Sequence, residues 1–289
     1  MAPTTSIQQR KSNYQLPAGA CDTHCHIWGP LELYPFAEQR NYTPPECDKY
    51  VLRAMHQRLG ISRVVVVQPI VHGTDNRVTL DAIADDPANY RGIALVDADV
   101  SDAELLTLHE GGVRGIRFGF VKHLKARPDL GEFRRMVDKI ASLGWHVLIH
   151  LDAADIEELR ELLCELPVPF VIDHMGRIDA GSGLEQPAFK QLLTLATQPN
   201  CWVKLSGADR VSATGGTFMD VVPFAQALMR VTPDRVLWGT DFPHPNPRHA
   251  IGDDADLVDL LPHFGDPPAL HKLLVSNPAR LYDFSDPSQ

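Results

Sequence analysis

The sequence predicts an α/β protein, a single (β/α)8 barrel over residues 1–289, with 1–16 as a flexible or surface-lying N-terminal extension. Three observations lead there. Eight short apolar runs alternate with helical patterns along the chain. Those runs are apolar at successive positions, as strands of a parallel sheet covered on both faces must be. The length suits one such barrel, which typically uses roughly 250 residues. An open doubly wound sheet is the rival architecture, but no glycine-rich dinucleotide loop follows the first strand.

The elements follow in order. Residues 19–24 read as the first strand. Residues 48–59 carry a helical rhythm (Val51, Leu52, Met55, Leu59) that stops at Gly60, a residue suited to a left-handed C-cap. Residues 63–68 form a β-branched run too short for a helix. A helix over 76–84 leads to a third strand at 92–96. Ser101 and Glu104 then have the spacing of a capping box opening the next helix. Strand four covers 113–118, followed by a helix over 130–143 that ends at Gly144. Strands five to eight fall at 145–150, 169–172, 201–205 and 235–238. Helices follow at 154–166, 186–197, 217–231, 253–261 and 268–274.

Charge and composition remove several classes. Lys and Arg number 27 against 37 Asp and Glu, a net charge of −10. Binding to phosphate backbones needs clustered cations, and the longest basic run, 122–127, is short and diluted, so no nucleic-acid partner is expected. The longest apolar run, around Val64 to Val67, falls far below the ~20 residues that cross a bilayer, so no membrane partner is expected either. The polar stretch at 1–15 lacks the apolar heart of a signal peptide, and a cytoplasmic location is the expectation. Five cysteines without a CxxC pair suggest reduced, mostly buried thiols. None of this bears on self-association, which leaves room for a homo-oligomer.

Barrel chemistry gathers at the C-terminal ends of the strands. Those ends offer His24 and His26, Arg117, His150, Asp173 and His174, and Asp241. His24 and His26 are two apart, so a strand presents both imidazoles on one face and turns Cys25 to the other. An HxH pair alone is a weak signal. Joined by His150, His174 and Asp241 from three other strand ends, it makes a nitrogen and carboxylate donor set suited to a divalent ion of the zinc type. By the same alternation Asp173 is expected to turn away from His174 and the barrel mouth. Arg117 at a strand end needs either a bound anion or an internal carboxylate. Arg210 after strand seven raises the same choice. His72 and Thr74 after strand two are candidates for substrate hydrogen bonds or for loop structure. His244, between two prolines, reads as structural. His56, His109, His146, His249, His263 and His271 are treated as ordinary.

The runs DTHCH (22–26), FVIDH (170–174) and WGTDFPHP (238–245), with HGTDN (72–76) and HEGGVRGIRF (109–118), resemble the amidohydrolase superfamily over nearly the whole chain. Within it they resemble the group that opens lactone rings in aromatic-compound degradation. The resemblance implies a metal-dependent lactonase with His24, His26, His150 and Asp241 as ligands of one Zn²⁺. Asp241 would also act as the proton-transfer group, and His174 would polarise the carbonyl or act as a ligand. Arg117, Arg210, His72, Thr74 and His123 would contact a small anionic lactone, of sulfo- or carboxy-muconolactone type. Metal-independent members that open pyrone dicarboxylates carry Tyr where this chain has His150, and Arg where it has His123. These departures favour a metal-using lactonase, and metal-free opening of 2-pyrone-4,6-dicarboxylate stays as one alternative. A decarboxylase of the same superfamily is another, and a non-catalytic binding barrel is a third.

Overall fold

The structure, a computed structural model, describes residues 10–121 and 128–285. Its centre is one sheet of eight strands that neighbour one another in chain order. They are β1 (Cys21–Cys25), β2 (Arg63–Val67), β3 (Tyr90–Ala94), β4 (Val113–Gly119), β5 (His146–His150), β6 (Phe170–Ile172), β7 (Cys201–Leu205) and β8 (Val236–Trp238). Each neighbouring pair from β1 to β8 is parallel. The ring closes just past β8, where Phe242 bridges to Cys25. There Asp241 N–H donates to His24 O at 2.7 Å and His26 N–H donates to Phe242 O at 2.7 Å. Sequential order with closure gives the barrel and excludes the doubly wound sheet, whose strand order reverses at a switch point.

The helices are α1 (Lys49–Leu59), α2 (Arg77–Ala84), α3 (Asp102–Glu110), α4 (Leu130–Ala141), α5 (Ile156–Cys164), α6 (Pro187–Ala196), α7 (Ala208–Val211), α8 (Val222–Val231), α9 (Asp254–Leu260), α10 (Pro267–His271) and α11 (Asn277–Tyr282). Local chemistry sets their ends. The Asp48 carboxylate accepts from Tyr50 and Val51 N–H to start α1, and Gly60 ends it at φ 79°. Ser101 and Glu104 form the expected reciprocal box on α3. The helix expected over 217–231 begins only at Val222, with Pro223 in its first turn, after a short 3-10 turn at Met219–Val221. The short α7 after β7 has too few residues to show a periodic pattern.

Strand alternation divides the core. Val64, Val66, Ile116, Val147 and Ile149 pack outward beneath the helices, while Val65, Val67, Ile93, Leu148, Val171 and Leu237 fill the barrel. Tyr282 and Phe284 join the inner group, and the Arg91 guanidinium lies 4.7 Å from the Phe284 ring centre. The apolar filling at that end leaves polar side chains to the opposite mouth. Residues 10–16 run along α9: Arg10 reaches Asp256 at 2.5 Å and Asp259 at 2.7 Å, and Leu16 is buried. Cys21, Cys25, Cys47 and Cys201 are buried free thiols and Cys164 is exposed. Among the described residues no helix is long and apolar enough to cross a membrane.

Candidate active site

β1 delivers two imidazoles to the mouth. Cys25 turns outward, its thiol donating to Val65 O at 3.6 Å, so His24 and His26 point inward. Val67 O lies 2.8 Å from His26 Nδ1 and can only accept, so Nδ1 carries the proton and Nε2 keeps its lone pair. That Nε2 faces Asp241 Oδ1 at 3.3 Å, and His24 Nε2 lies 3.6 Å from the same oxygen. His24 Nε2 and Asp241 Oδ1 are buried with no hydrogen-bond partner among the described residues. The His26 lone pair aimed at an anionic oxygen repels unless a cation or proton lies between them, and with the His24 ring proton on Nδ1, facing Asp173 Oδ1 at 3.2 Å, the three residues fit one divalent ion.

The seam between β1 and the chain after β8 holds this geometry. The fully buried Asp22 carboxylate accepts from His24 N–H (3.0 Å), Thr240 N–H (3.0 Å), Thr240 O–H (2.5 Å) and His56 Nε2 (3.0 Å). Gly239 allows the close approach: a Cβ there would sit 2.7 Å from both His24 N and His24 Cβ. Gly207 does the same for His174, whose Nδ1 lies 2.9 Å from where its Cβ would be. Asp241, His174 and Arg177 hold left-handed φ of 61°, 50° and 51°, strain concentrated around one pocket.

That pocket has a volume of about 170 Å³, room for a small ring compound. His26, Arg117, His150, His174, Arg177, Arg210 and Asp241 line it, with Tyr42 from the loop after β1. His150 is on the wall, its ring 5.7 Å from that of His174, but it stands outside the tight group of His24, His26 and Asp241.

Electrostatics sort the roles. Burial alone would raise the Asp241 carboxyl, yet Arg210 and the neighbouring imidazoles hold it well below the usual carboxylate range. Burial pushes His24, His150 and His174 well below the ordinary imidazole value, with nearby cations adding to the effect, so all three are neutral at neutral pH. His174 Nδ1 lies 2.9 Å from the Ser206 hydroxyl, which fixes the ring.

Two expectations need correction. Asp173 does not turn away: Oδ1 lies 3.2 Å from His24 Nδ1 and Oδ2 lies 3.2 Å from Arg117 Nη2. β6 ends at Ile172, so strand alternation no longer governs the next residue. His56 and His146 are not ordinary either: the first is a partner of Asp22, and the second is buried under the barrel and pushed down to about 3. Arg117 and Arg210 both meet internal carboxylates. Arg210 places Nε at 3.0 Å and Nη2 at 2.7 Å from Asp241 Oδ2, which holds the carboxylate in place. His72 and Thr74 lie off the pocket lining. His72 Nδ1 donates to Pro35 O at 3.2 Å beneath Phe36, and the Thr74 hydroxyl donates to Asp97 at 2.9 Å. The loop after β2 presents Pro69 and Ile70 to the pocket instead. His123 lies outside the described residues. The His244 imidazole pairs with Asp254 at 2.9 Å, and its backbone N–H donates to Asp241 O at 2.7 Å.

Sequence reading missed three residues. Arg177 lines the pocket with Nε 2.9 Å from Asp152 and Nη1 3.5 Å from His150 Nε2. It lies three residues past His174, where no strand pattern marks a direction. Tyr42 sits in an irregular loop and gives no periodic signal. Lys204 did leave one, a single charge inside the apolar run Cys201–Leu205.

An (β/α)8 barrel with histidines on β1 and an aspartate after β8 defines an enzyme class. The chain belongs to the amidohydrolase family, whose profile matches residues 21–284. It is 45% identical to the 2-pyrone-4,6-dicarboxylate hydrolase of Comamonas testosteroni over 282 residues, covering 94% of this chain and 92% of the relative. It is 42% identical to the 4-sulfomuconolactone hydrolase of Rhizobium radiobacter over 275 residues, 93% of this chain and 92% of that one. A solved apo structure from Agrobacterium tumefaciens superposes with a TM-score of 0.85 at 28% identity, covering 95% of this chain and 99% of the other.

Proposed function

We propose that this enzyme hydrolyses a small anionic lactone of the sulfo- or carboxy-muconolactone type, in the degradation of aromatic compounds, with the help of one divalent ion, Zn²⁺ in kind. The observation that carries the reading is Asp241, a buried carboxylate kept ionised, with Oδ1 unpartnered and facing His24 and His26. His24, His26 and Asp241 would hold the ion, with His150 on the wall as a further donor. When bound, such an ion supplies Lewis acidity toward water and toward a carbonyl oxygen.

The chain's own groups account for the remaining chemistry. Asp241 Oδ1 takes a proton from the attacking water and returns it to the ring oxygen as the ester bond breaks. Arg210 keeps that carboxylate aimed by binding its other oxygen. His174 is neutral, and with Nδ1 engaged by Ser206 its Nε2–H donates to the lactone carbonyl as negative charge grows there. Arg177 meets Asp152 through Nε, its nearest contact, and its guanidinium on the pocket wall is suited to grip a carboxylate or sulfonate. The net charge of −10 opposes an anionic substrate at a distance; Arg117, Arg210 and Arg177 each offset a carboxylate near the pocket, and a bound divalent ion would add the local positive charge.

Metal-free opening of 2-pyrone-4,6-dicarboxylate is the second reading. It is supported by the two-pronged Arg210–Asp241 pair, a cation already in contact with the carboxylate. The test measures hydrolysis of 4-sulfomuconolactone and 2-pyrone-4,6-dicarboxylate by protein of known metal content, before and after chelation. Loss of turnover on chelation with recovery on added Zn²⁺ is expected. Full turnover in metal-free protein would replace the first reading by the second, and no turnover of either lactone would refute both.

A further inference from the structure

We propose that Lys204 is the resident cation of a second donor group beneath the first, so that the protein holds one divalent ion where its side chains could otherwise hold two. The inference rests on the reading that His24, His26 and Asp241 hold an ion. Among the described residues, His24 belongs to two groups with converging ligand atoms: His24, His26 and Asp241, and also His24, Asp173 and His174. In each group the atoms lie within 4.8 Å of one another, and all five residues are buried. By donor type the second group is as suitable for a metal as the first.

The groups differ in what already occupies them. Lys204 rises from the middle of β7 with its side chain fully buried. Its Nζ lies 3.2 Å from His24 Nδ1 and 3.7 Å from Asp173 Oδ1, and it donates to Thr23 O at 2.8 Å. Arg117 covers the other Asp173 oxygen at 3.2 Å. Since the first ion takes His24 Nε2, a second on Nδ1 requires the ring to lose its remaining proton to solvent and bridge the two ions as imidazolate; that second ion would sit roughly 2.0–2.2 Å from Asp173 Oδ1 and His24 Nδ1. It would then overlap the ammonium or lie within roughly 4 Å of it, and the repulsion is twice that of a monovalent ion at the same distance. A lysine is almost never buried this completely without a charged partner, and the partner here is the carboxylate a second metal would use. Lys204 thus supplies three things such an ion would supply: positive charge beside Asp173, a contact on the inner edge of the His24 ring, and a tie to the β1 backbone.

The experiment counts ions. Wild type, Lys204→Met and Lys204→Gln are dialysed to equilibrium against Mn²⁺. Bound metal per chain is measured, and electron paramagnetic resonance shows whether neighbouring ions are coupled. One ion in wild type and two in the variants, with a coupled-pair spectrum, is the expected result. Adding Asp173→Asn to Lys204→Met should remove the extra ion. Equal counts in wild type and either folded variant would overturn the inference, as would two ions in wild type. Should both variants be unfolded without metal, refolding that takes up two ions supports it and an absence of metal-dependent refolding counts against it. The reading of the first site is judged separately, by the wild-type count: none in wild type with one in the variants would refute that site and still support the role of Lys204.

Discussion

Asp22 touches no substrate, yet the structure makes it the pin that sets His24 against Asp241. Consider Asp22→Asn, which keeps the shape and exchanges one oxygen for an NH₂ group. The amide oxygen can still accept from His24 N–H and Thr240 N–H, both at 3.0 Å from the present Oδ1. The NH₂ then faces the Thr240 hydroxyl and His56 Nε2, both of which now donate to Oδ2. The hydroxyl can rotate. His56 can accept only by moving its proton to Nδ1, which is buried and has no partner. One buried donor is therefore stranded in either arrangement, at a cost of about 1–3 kcal/mol. At about 2–4 °C per kcal/mol for a chain of this order of size, Tm should fall by about 2–12 °C. Asp22→Ala leaves all four donors without their acceptor and should cost on the order of 4 kcal/mol or more. Calorimetry gives Tm, and the same samples give kcat and KM. Activity should fall mainly in kcat, because the pin fixes His24 and Asp241 and not the walls that bind substrate. An Asp22→Ala protein with wild-type Tm, or one that loses only KM, would refute the role.

Other outcomes follow from the geometry. Asp241→Asn should lower kcat by at least about 100-fold while the protein stays folded, and near-normal turnover would place the proton acceptor elsewhere. Arg177→Met should cost about 2–5 kcal/mol in kcat/KM on a charged lactone and little on its neutral ester analogue. Arg117→Met and Arg210→Met should lose activity on both, because those cations hold Asp173 and Asp241. Burial holds His146 neutral down to about 3, so its stabilising share is whole above the unfolded value near 6.5 and fades as pH falls. The loss is on the order of 2–3 kcal/mol by pH 4.5, and denaturant titrations of His146→Leu between pH 7 and 4.5 should show a shallower decline than wild type. Gly239→Ala drives a methyl group into the His24 backbone and should reduce both bound metal and Tm, whereas unchanged metal content would show that the seam can yield.

The barrel was legible because its signals are local. Eight apolar runs, the Gly60 stop and the Ser101–Glu104 box each depend on residues a few positions apart. The HxH pair was legible for the same reason, since alternation along β1 fixes where His24, Cys25 and His26 point. Strand ends named His150, His174 and Asp241 as candidates because a parallel barrel brings all such ends to one mouth. The roles of the charged groups depended on distances across the barrel. Asp173 escaped its predicted direction because β6 stops one residue earlier, and that stop gave Arg117 and Lys204 a shared carboxylate. Arg210 became the clamp on Asp241 because α7, just after β7, meets the turn after β8, 31 residues away in sequence. Residue type and spacing determine which groups can reach the mouth; only the closed barrel decides which opposite charges are near enough to neutralise one another, because Coulomb attraction depends on separation in space.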